Sequence, residues 1–421
     1  MKRRIASAIG AAALAASLVA CGGSNEGKTD SSGVPNNPDE GVTADSIIIG
    51  WTGGITGSNA SISGPHLAGL QAFAAYQNEV KGGVLGRKLV INSKDDEFNA
   101  ERGVTNYAQL TSEGILTLAN ISGSHISSAL LPLMEADDVA LICPLQTVDV
   151  QLDSSHAFNC VAHYADMADV MIARLGQRIG SVADVKAVAM VLEVPSGEEF
   201  ATYARQKLEA QGGELTDVLT INASSPDYVT AVGALKRAIA EKGVNAVLLH
   251  GATSNGVALA TEFASQNVTI PVAGITGMAA PAVYEEGAAS AAEQFESVHS
   301  FLPYTADCAM CKTIRDFIAG TEWEKQAKAI NFTNGWLNGM IIVQAIERAA
   351  QTGVLDRESF NKALRGAFDT GGLTCPIDWT TSNHSPCVVP FSWDASKGVL
   401  TPLGSFDEWS KTIVGEYGIT R

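Results

Sequence analysis

Residues 47–97 read "IIIGWTGGITGSNASISGPHLAGLQAFAAYQNEVKGGVLGRKLVINSKDDE". Three consecutive isoleucines run into Gly50 and a glycine-rich turn, the pattern of a short strand buried on both faces. Leu67, Leu70, Phe73, Ala74 and Tyr76 then recur at helical spacing. Gly82-Gly83 and Gly86 punctuate the chain, and "KLVIN" reads as a second strand. A strand, a long helix and a strand joined by short turns form a parallel unit with the helix on one face.

The alternation continues. "NAERGVTNYAQLTSEG" is helical, "ILTLAN" (115–120) a strand, "SSALLPLMEADD" a helix and "VALICP" (139–144) a fourth strand. It restarts at Tyr164 with "YADMADVMIARLGQRI", and the strands "VKAVAMVLE", "GELTDVLTIN", "VNAVLLHG" and "TIPVAG" are separated by amphipathic helices. The helix around "SGEEFATYARQKLEAQG" carries a Ser-x-x-Glu capping pattern at Ser196 to Glu199. Two successive blocks of this kind predict an α/β protein of two Rossmann-like lobes with parallel sheets. Beyond "FESVHSFLPY" the pattern loosens into a long apolar helix (332–353), a second helix, and a hairpin turning at Asp394-Ala-Ser-Lys-Gly398.

The 421 residues are 46% hydrophobic and 17% charged, ample for packed cores. The net charge of −17 becomes more negative once the basic start Lys2-Arg3-Arg4 is removed. Nucleic acid is therefore excluded as a partner, for want of a basic face to neutralise phosphates. "MKRR" followed by "IASAIGAAALAASLVA" predicts a secretory signal over residues 1–20. Leu18-Val19-Ala20-Cys21 resembles a bacterial lipobox, which implies cleavage before Cys21 and lipidation of its sulfur. The Gly-, Ser-, Asn- and Pro-rich residues 21–43 read as the lipid-bearing cysteine and a flexible tether. The expected localisation is extracytoplasmic, lipid-anchored to the outer face of the cell membrane.

Six further cysteines on an exported chain favour disulfides, although six allow fifteen pairings. Proximity suggests Cys143 with Cys160, Cys308 with Cys311, and Cys375 with Cys387. Cys308-Ala-Met-Cys311 could alternatively be a redox pair, a role that wants a buried strand just before it; here a loop-like stretch precedes.

Gly50, Thr56-Gly57, Asn78, Gly82-Gly83-Val84, Gly86-Arg87 and Asp95-Asp96 together resemble the leucine/isoleucine/valine-binding type of periplasmic solute-binding protein, the receptor component of ABC importers. "VALICPLQT" and "GVNAVLLHGATSNGVAL" also fit, and the resemblance spans about Ser46 to Ser405. It implies two lobes joined by a multi-strand hinge: an N-lobe of 44–163 plus 298–390 and a C-lobe of 164–297 plus 391–421. It further implies a monomer that captures a small-molecule ligand in the cleft by hinge closure and then docks on ABC permease subunits. The same closed form could serve an extracellular sensor.

In amino-acid-binding members a serine, a threonine and backbone hold the ligand carboxylate. Ser124, Leu145 (through its backbone) and Thr147 fall at those positions. The acidic residue that meets the ligand's ammonium is replaced by Thr276, and the expected aromatics by Ala252-Thr253 and by Ser196. Glu193, Glu285 or Glu286 could supply the missing charge. Trp51 and Tyr228 are candidates to stack on the ligand. A carboxylate or neutral polar solute fits this pattern better than a leucine-type one, because an ammonium without a carboxylate costs several kcal/mol.

Ile121–Leu130, "ISGSHISSAL", gathers four serines and His125. A serine nucleophile would need a Gly-x-Ser-x-Gly elbow, and Gly123-Ser124-His125 lacks the second glycine. At a strand-to-helix turn these hydroxyls and free N–H groups instead form a passive anion cradle, with helix capping as the plainer role. No Walker loop, HExxH or metal-ligand cluster is visible, so no enzyme activity, cofactor or metal is expected.

Overall fold

A computed structural model describes residues 33–223 and 225–413. The signal segment, Cys21 and the extreme C-terminus lie outside the described residues.

Two sheets organise the chain. In the first, β1 (Ser46–Gly53) pairs in parallel with β2 (Lys88–Asp95) along its full length. On the other side of β1 runs the extended stretch around Leu118, which bridges both Gly50 and Leu141. Short strands β3 (Leu141–Ile142) and β4 (Ala157–Phe158) complete the sheet. The strand expected over 115–120 is thus present as a ladder position, with Leu116 and Ala119 donating to Ile48 and Gly50.

The second sheet has seven strands. β5 (Lys186–Leu192), β6 (Glu214–Ile221), β7 (Ala246–Leu249), β8 (Val272–Gly274) and β9 (Phe295–His299) are parallel in the order β6-β5-β7-β8-β9. The hairpin Val389–Asp394/Val399–Pro402 adds on antiparallel beside β9. The central strands are continuous apolar runs because helices cover both faces; β7 is buried along its whole length.

The chain passes between the two sheets three times, after β4, after β9 and before Val389. These crossings are stitched together: Ala162 N–H donates to Ser300 Oγ, Thr374 Oγ1 to the Ser300 carbonyl, and Asn159 N–H to the Asn383 carbonyl. Helix Asn331–Ala350, which follows the second crossing, packs on helix Ala60–Glu79 of the first lobe. Gly69 and Gly335 make that approach possible: a methyl on Gly69 would overlap the Phe332 carbonyl, and one on Gly335 the His66 carbonyl.

The disulfides are Cys143–Cys160, Cys308–Cys311 and Cys375–Cys387, with Cα separations of 4.8, 5.0 and 6.2 Å. One sequence expectation is corrected. The tether does not extend to residue 43, because Val34 and Val42 are buried and Val42 bridges Ile47. The cause is Arg87, itself buried, whose guanidinium donates to the carbonyls of Val34 and Thr43 and draws the segment onto the sheet edge. Among the described residues no helix is long and apolar enough to cross a membrane.

Candidate functional site

A cleft lies where the carboxyl ends of both sheets face each other, with about 110 Å³ of room for the centres of water molecules. Its position follows from parallel topology, since strand-to-helix turns gather at that edge. Six helices point their first residues at it. Asn59 precedes helix Ala60–Glu79, and Ser122 and Gly123 precede helix Ser124–Ala136. Tyr164 starts helix Tyr164–Ile179, and Val194 and Ser196 flank the start of helix Pro195–Ala210. Ala252 and Ser254 open helix Thr253–Ser265, and Asn331 opens helix Asn331–Ala350. Each N-terminus carries roughly half a positive charge, although some of the first N–H groups, such as those of Ala165 and Ser196, are already bonded.

Among the described residues, none of those lining the cleft is Asp, Glu, Lys or Arg. His250, at the end of β7, is the titratable imidazole in the wall. Burial lowers its pKa to about 4, so it is neutral at physiological pH. It packs edge-on against Tyr164, with ring centroids 5.3 Å apart. Phe98 enters from the turn after β2 with a left-handed backbone (φ +61°), held by its N–H bond to Asp96. Ile62, Leu145, Leu192, Val194 and Ile275 add apolar surface.

Of the residues singled out from sequence, Ser124, Leu145, Ser196 and Thr276 line this cleft. Ser124 and Ser196 come from opposite lobes and meet: the Ser196 N–H donates to the Ser124 hydroxyl at 3.3 Å. The structure therefore describes a closed cleft. Leu145 N–H is spent on the Asn120 side chain. Thr147, Trp51 and Thr253 do not line the cleft. Thr147 Oγ1 donates to the Val161 carbonyl at 2.5 Å. Trp51 is fully buried in the lobe core, with its indole N–H on His66. Thr253 Oγ1 donates to the Gly277 carbonyl. Tyr228 accepts from Asn255, which does line the cleft. Glu193, Glu285 and Glu286 are exposed and lie outside it.

The capping roles differ from expectation too. Helix Pro195–Ala210 starts two residues earlier, with Pro195 at its first position and Val194 rather than Ser196 as its cap. Ser196 is left free to bridge the lobes, and Glu199 turns to His163. Gly123 caps helix Ser124–Ala136 without a side-chain bond, so none of the nearby serines is the cap. Ser127 accepts from Gln146 and Gln151, and Ser128 donates back to the Ser124 carbonyl.

Beside the cleft, His163 Nε2 lies 3.1 Å from Asp149 Oδ1 and 2.9 Å from Glu199 Oε1, and these donor atoms fall within 4.8 Å of one another. His163 Nδ1 accepts the Ala165 N–H. Nε2 is thus the ring atom that faces the two carboxylates, and, against the cost of burial, Asp149 and Glu199 raise the His163 pKa to about 9, so the trio forms an ion-paired bridge between the lobes. Tyr203 from the second lobe also donates to Asp149.

Asn59, Phe98, Tyr164, His250 and Asn331 were missed by sequence reasoning, whereas Ser122 belongs to the expected anion cradle. Four of the five sit at or just before a helix start or at a strand end. Listing those positions for every strand-to-helix turn, rather than for two, would have found them.

A family model described as periplasmic binding protein matches residues 46–389. Among curated protein sequences none matches the chain. Solved structures share the fold. A fatty acid ABC transporter substrate-binding protein from Thermomonospora curvata has 22% identity and a TM-score of 0.78, over 90% of this chain and 97% of that one. A branched-chain amino acid ABC transporter protein from Thermus thermophilus with bound valine has 18% identity and a TM-score of 0.75, over 86% and 96%. A leucine-binding protein from Thermotoga maritima has 17% identity and a TM-score of 0.72, over 86% and 99%. These likenesses show the type I periplasmic binding protein fold. The chain belongs to the periplasmic binding protein family.

Proposed function

We propose that the chain is the extracytoplasmic substrate-binding lipoprotein of an ABC importer, capturing a small amino-acid-like, carboxylate or polar organic solute between its lobes. The observation that carries this reading is the closed cleft: six helix N-termini converge on a small cavity, and Ser124 and Ser196 join across it. Such a site stabilises an anionic or strongly dipolar solute without any basic side chain. Closure is a hinge motion over the three crossings, and the His163 bridge to Glu199 and the Tyr203 bond to Asp149 lock it. The structural relatives named for ABC transport support the importer role, and Leu18 to Cys21 supports the lipid anchor.

A thermal-shift screen over amino acids, organic acids, amides and aromatic acids tests the reading, because a ligand bound only by the folded state raises the melting temperature by mass action. One chemical class is expected to stabilise the protein at millimolar concentration. A flat response across the whole panel would count against a solute receptor.

A further inference from the structure

Resting on that reading of the cleft, we infer that its solute is a monocarboxylate with an apolar body and no ammonium group. Ser122 lines the cleft and is only 1% exposed. Its hydroxyl oxygen accepts from Asn59 Nδ2 and from Ser63 Oγ, the latter at 2.8 Å. Both lone pairs are then occupied. What remains is its hydrogen, and among the described residues nothing accepts it. Two residues on, the Ser124 oxygen is engaged by the Ser196 N–H, and its hydrogen is likewise unclaimed among the described residues. Gly123 between them has given its N–H to Gln146 Oε1. The first turn of helix Ser124–Ala136 thus offers hydrogen-bond donors and a positive dipole end, arranged to take up an acceptor. A carboxylate oxygen satisfies it most strongly, a neutral carbonyl or hydroxyl oxygen accepts less strongly, and an N–H cannot accept.

The rest of the wall has no counterpart for a cation. Asp96, the carboxylate beside Phe98, is held by the Thr52 hydroxyl and the Phe98 N–H. Glu199 is held at His163. Neither lines the cleft. His250 does, with its Nδ1 buried and without a hydrogen-bond partner, and the ring is neutral. A neutral imidazole can pair with a hydroxyl or an acid proton but supplies no negative charge for an ammonium. Between the poles, Ile62, Phe98, Leu145, Leu192, Val194 and Ile275 make an apolar sleeve suited to a short branched or aryl body.

Calorimetric titration with four matched probes tests this: isocaproate, leucine, isocaproamide and isoamylamine. The first three share one six-carbon skeleton, isoamylamine is leucine without its carboxyl group, and the four differ in which charged groups they carry. Isocaproate is expected to bind best, leucine at least about 100-fold more weakly because its ammonium is left unpaired, and the amide about 10-fold more weakly. Ser122→Ala should weaken isocaproate about 10-fold, and Ser122→Thr, which keeps the hydroxyl, should restore it. Leucine binding as tightly as isocaproate, or the amide matching the acid, overturns the inference; so does failure of all four probes while a solute other than a monocarboxylate stabilises the protein. The comparison among probes uses the native chain, so it holds even if Ser122→Ala folds poorly. The inference can fail while the receptor reading stands, since that reading fails only if no solute of any class stabilises the protein.

Discussion

The backbone N–H of Ser196 donates to the hydroxyl of Ser124 across the cleft, 3.3 Å from nitrogen to oxygen. One residue begins a helix on the first sheet and the other begins a helix on the second. The bond exists only when the lobes are together, so it reports closure directly. Ser124→Ala should therefore leave the melting temperature of the unliganded protein within a few degrees of native while raising the solute's Kd about 10-fold, as expected for one lost hydrogen bond of about 1 kcal/mol plus a lost ligand contact. Calorimetry and a melting curve check the two halves. An unchanged Kd would show that closure does not depend on this pair.

Thr147 behaves oppositely. Its hydroxyl bonds the Val161 carbonyl in the interior. Thr147→Val should lower unfolding free energy by roughly 1–2 kcal/mol, because a buried carbonyl loses its donor, and leave solute affinity unaltered. Urea unfolding followed by titration of the folded variant measures both. A loss of affinity at unchanged stability would return Thr147 to the binding site.

Gly335 faces the His66 carbonyl where helices Asn331–Ala350 and Ala60–Glu79 cross. Gly335→Ala removes a helix-weakening glycine, worth about 1 kcal/mol of propensity, yet should destabilise, because two packed backbones must separate; overpacking of this kind costs about 1–3 kcal/mol or more. A higher midpoint in denaturant would contradict the close approach.

Asp96 sets a pH dependence. Burial raises its pKa to about 6, against the opposing bonds from the Phe98 N–H and the Thr52 hydroxyl and with a contribution from the charge of Asp95. A carboxyl whose folded pKa is raised contributes stability that is complete below its ordinary range and is lost as pH rises through the folded value. Asp96→Asn should therefore gain stability relative to native between about pH 4 and pH 7, by roughly 2–3 kcal/mol in total. Denaturant unfolding of both proteins across that range reads the difference. Parallel curves would mean that Asp96 titrates as an ordinary surface acid.

The fold was legible because its signals are local. The isoleucines of β1, the helical spacing from Leu67 to Tyr76 and the Gly82-Gly83 turn each depend on neighbours in sequence, and parallel strands need the crossovers those segments provide. The cleft was legible in part for the same reason, since strand-to-helix turns name its edge. Side-chain direction was not. Thr147 and Thr253 sit next to lining residues and turn into the protein, because a carbonyl within reach, Val161 or Gly277, claims each hydroxyl. Trp51 lies on a strand whose neighbouring residues are buried as well, so its aromatic ring belongs to the core. Ser196 looked like a helix cap from its spacing to Glu199; its own neighbour Pro195 moved the helix start, and His163, distant in sequence, claimed the glutamate. Residues 34–43 looked disordered by composition, and Arg87, about forty residues on, holds them.

Titrating the stabilising solute into the native chain and into Ser254→Trp tests the central claim most directly. Ser254 is exposed at the mouth of the cleft, where an indole is tolerated by the fold and competes for the solute's space. One site per chain is expected in the native protein, with a loss of affinity of about 100-fold or more in the variant at an unchanged melting temperature. Equal affinity in the two proteins would contradict it, by placing the solute somewhere other than between the lobes.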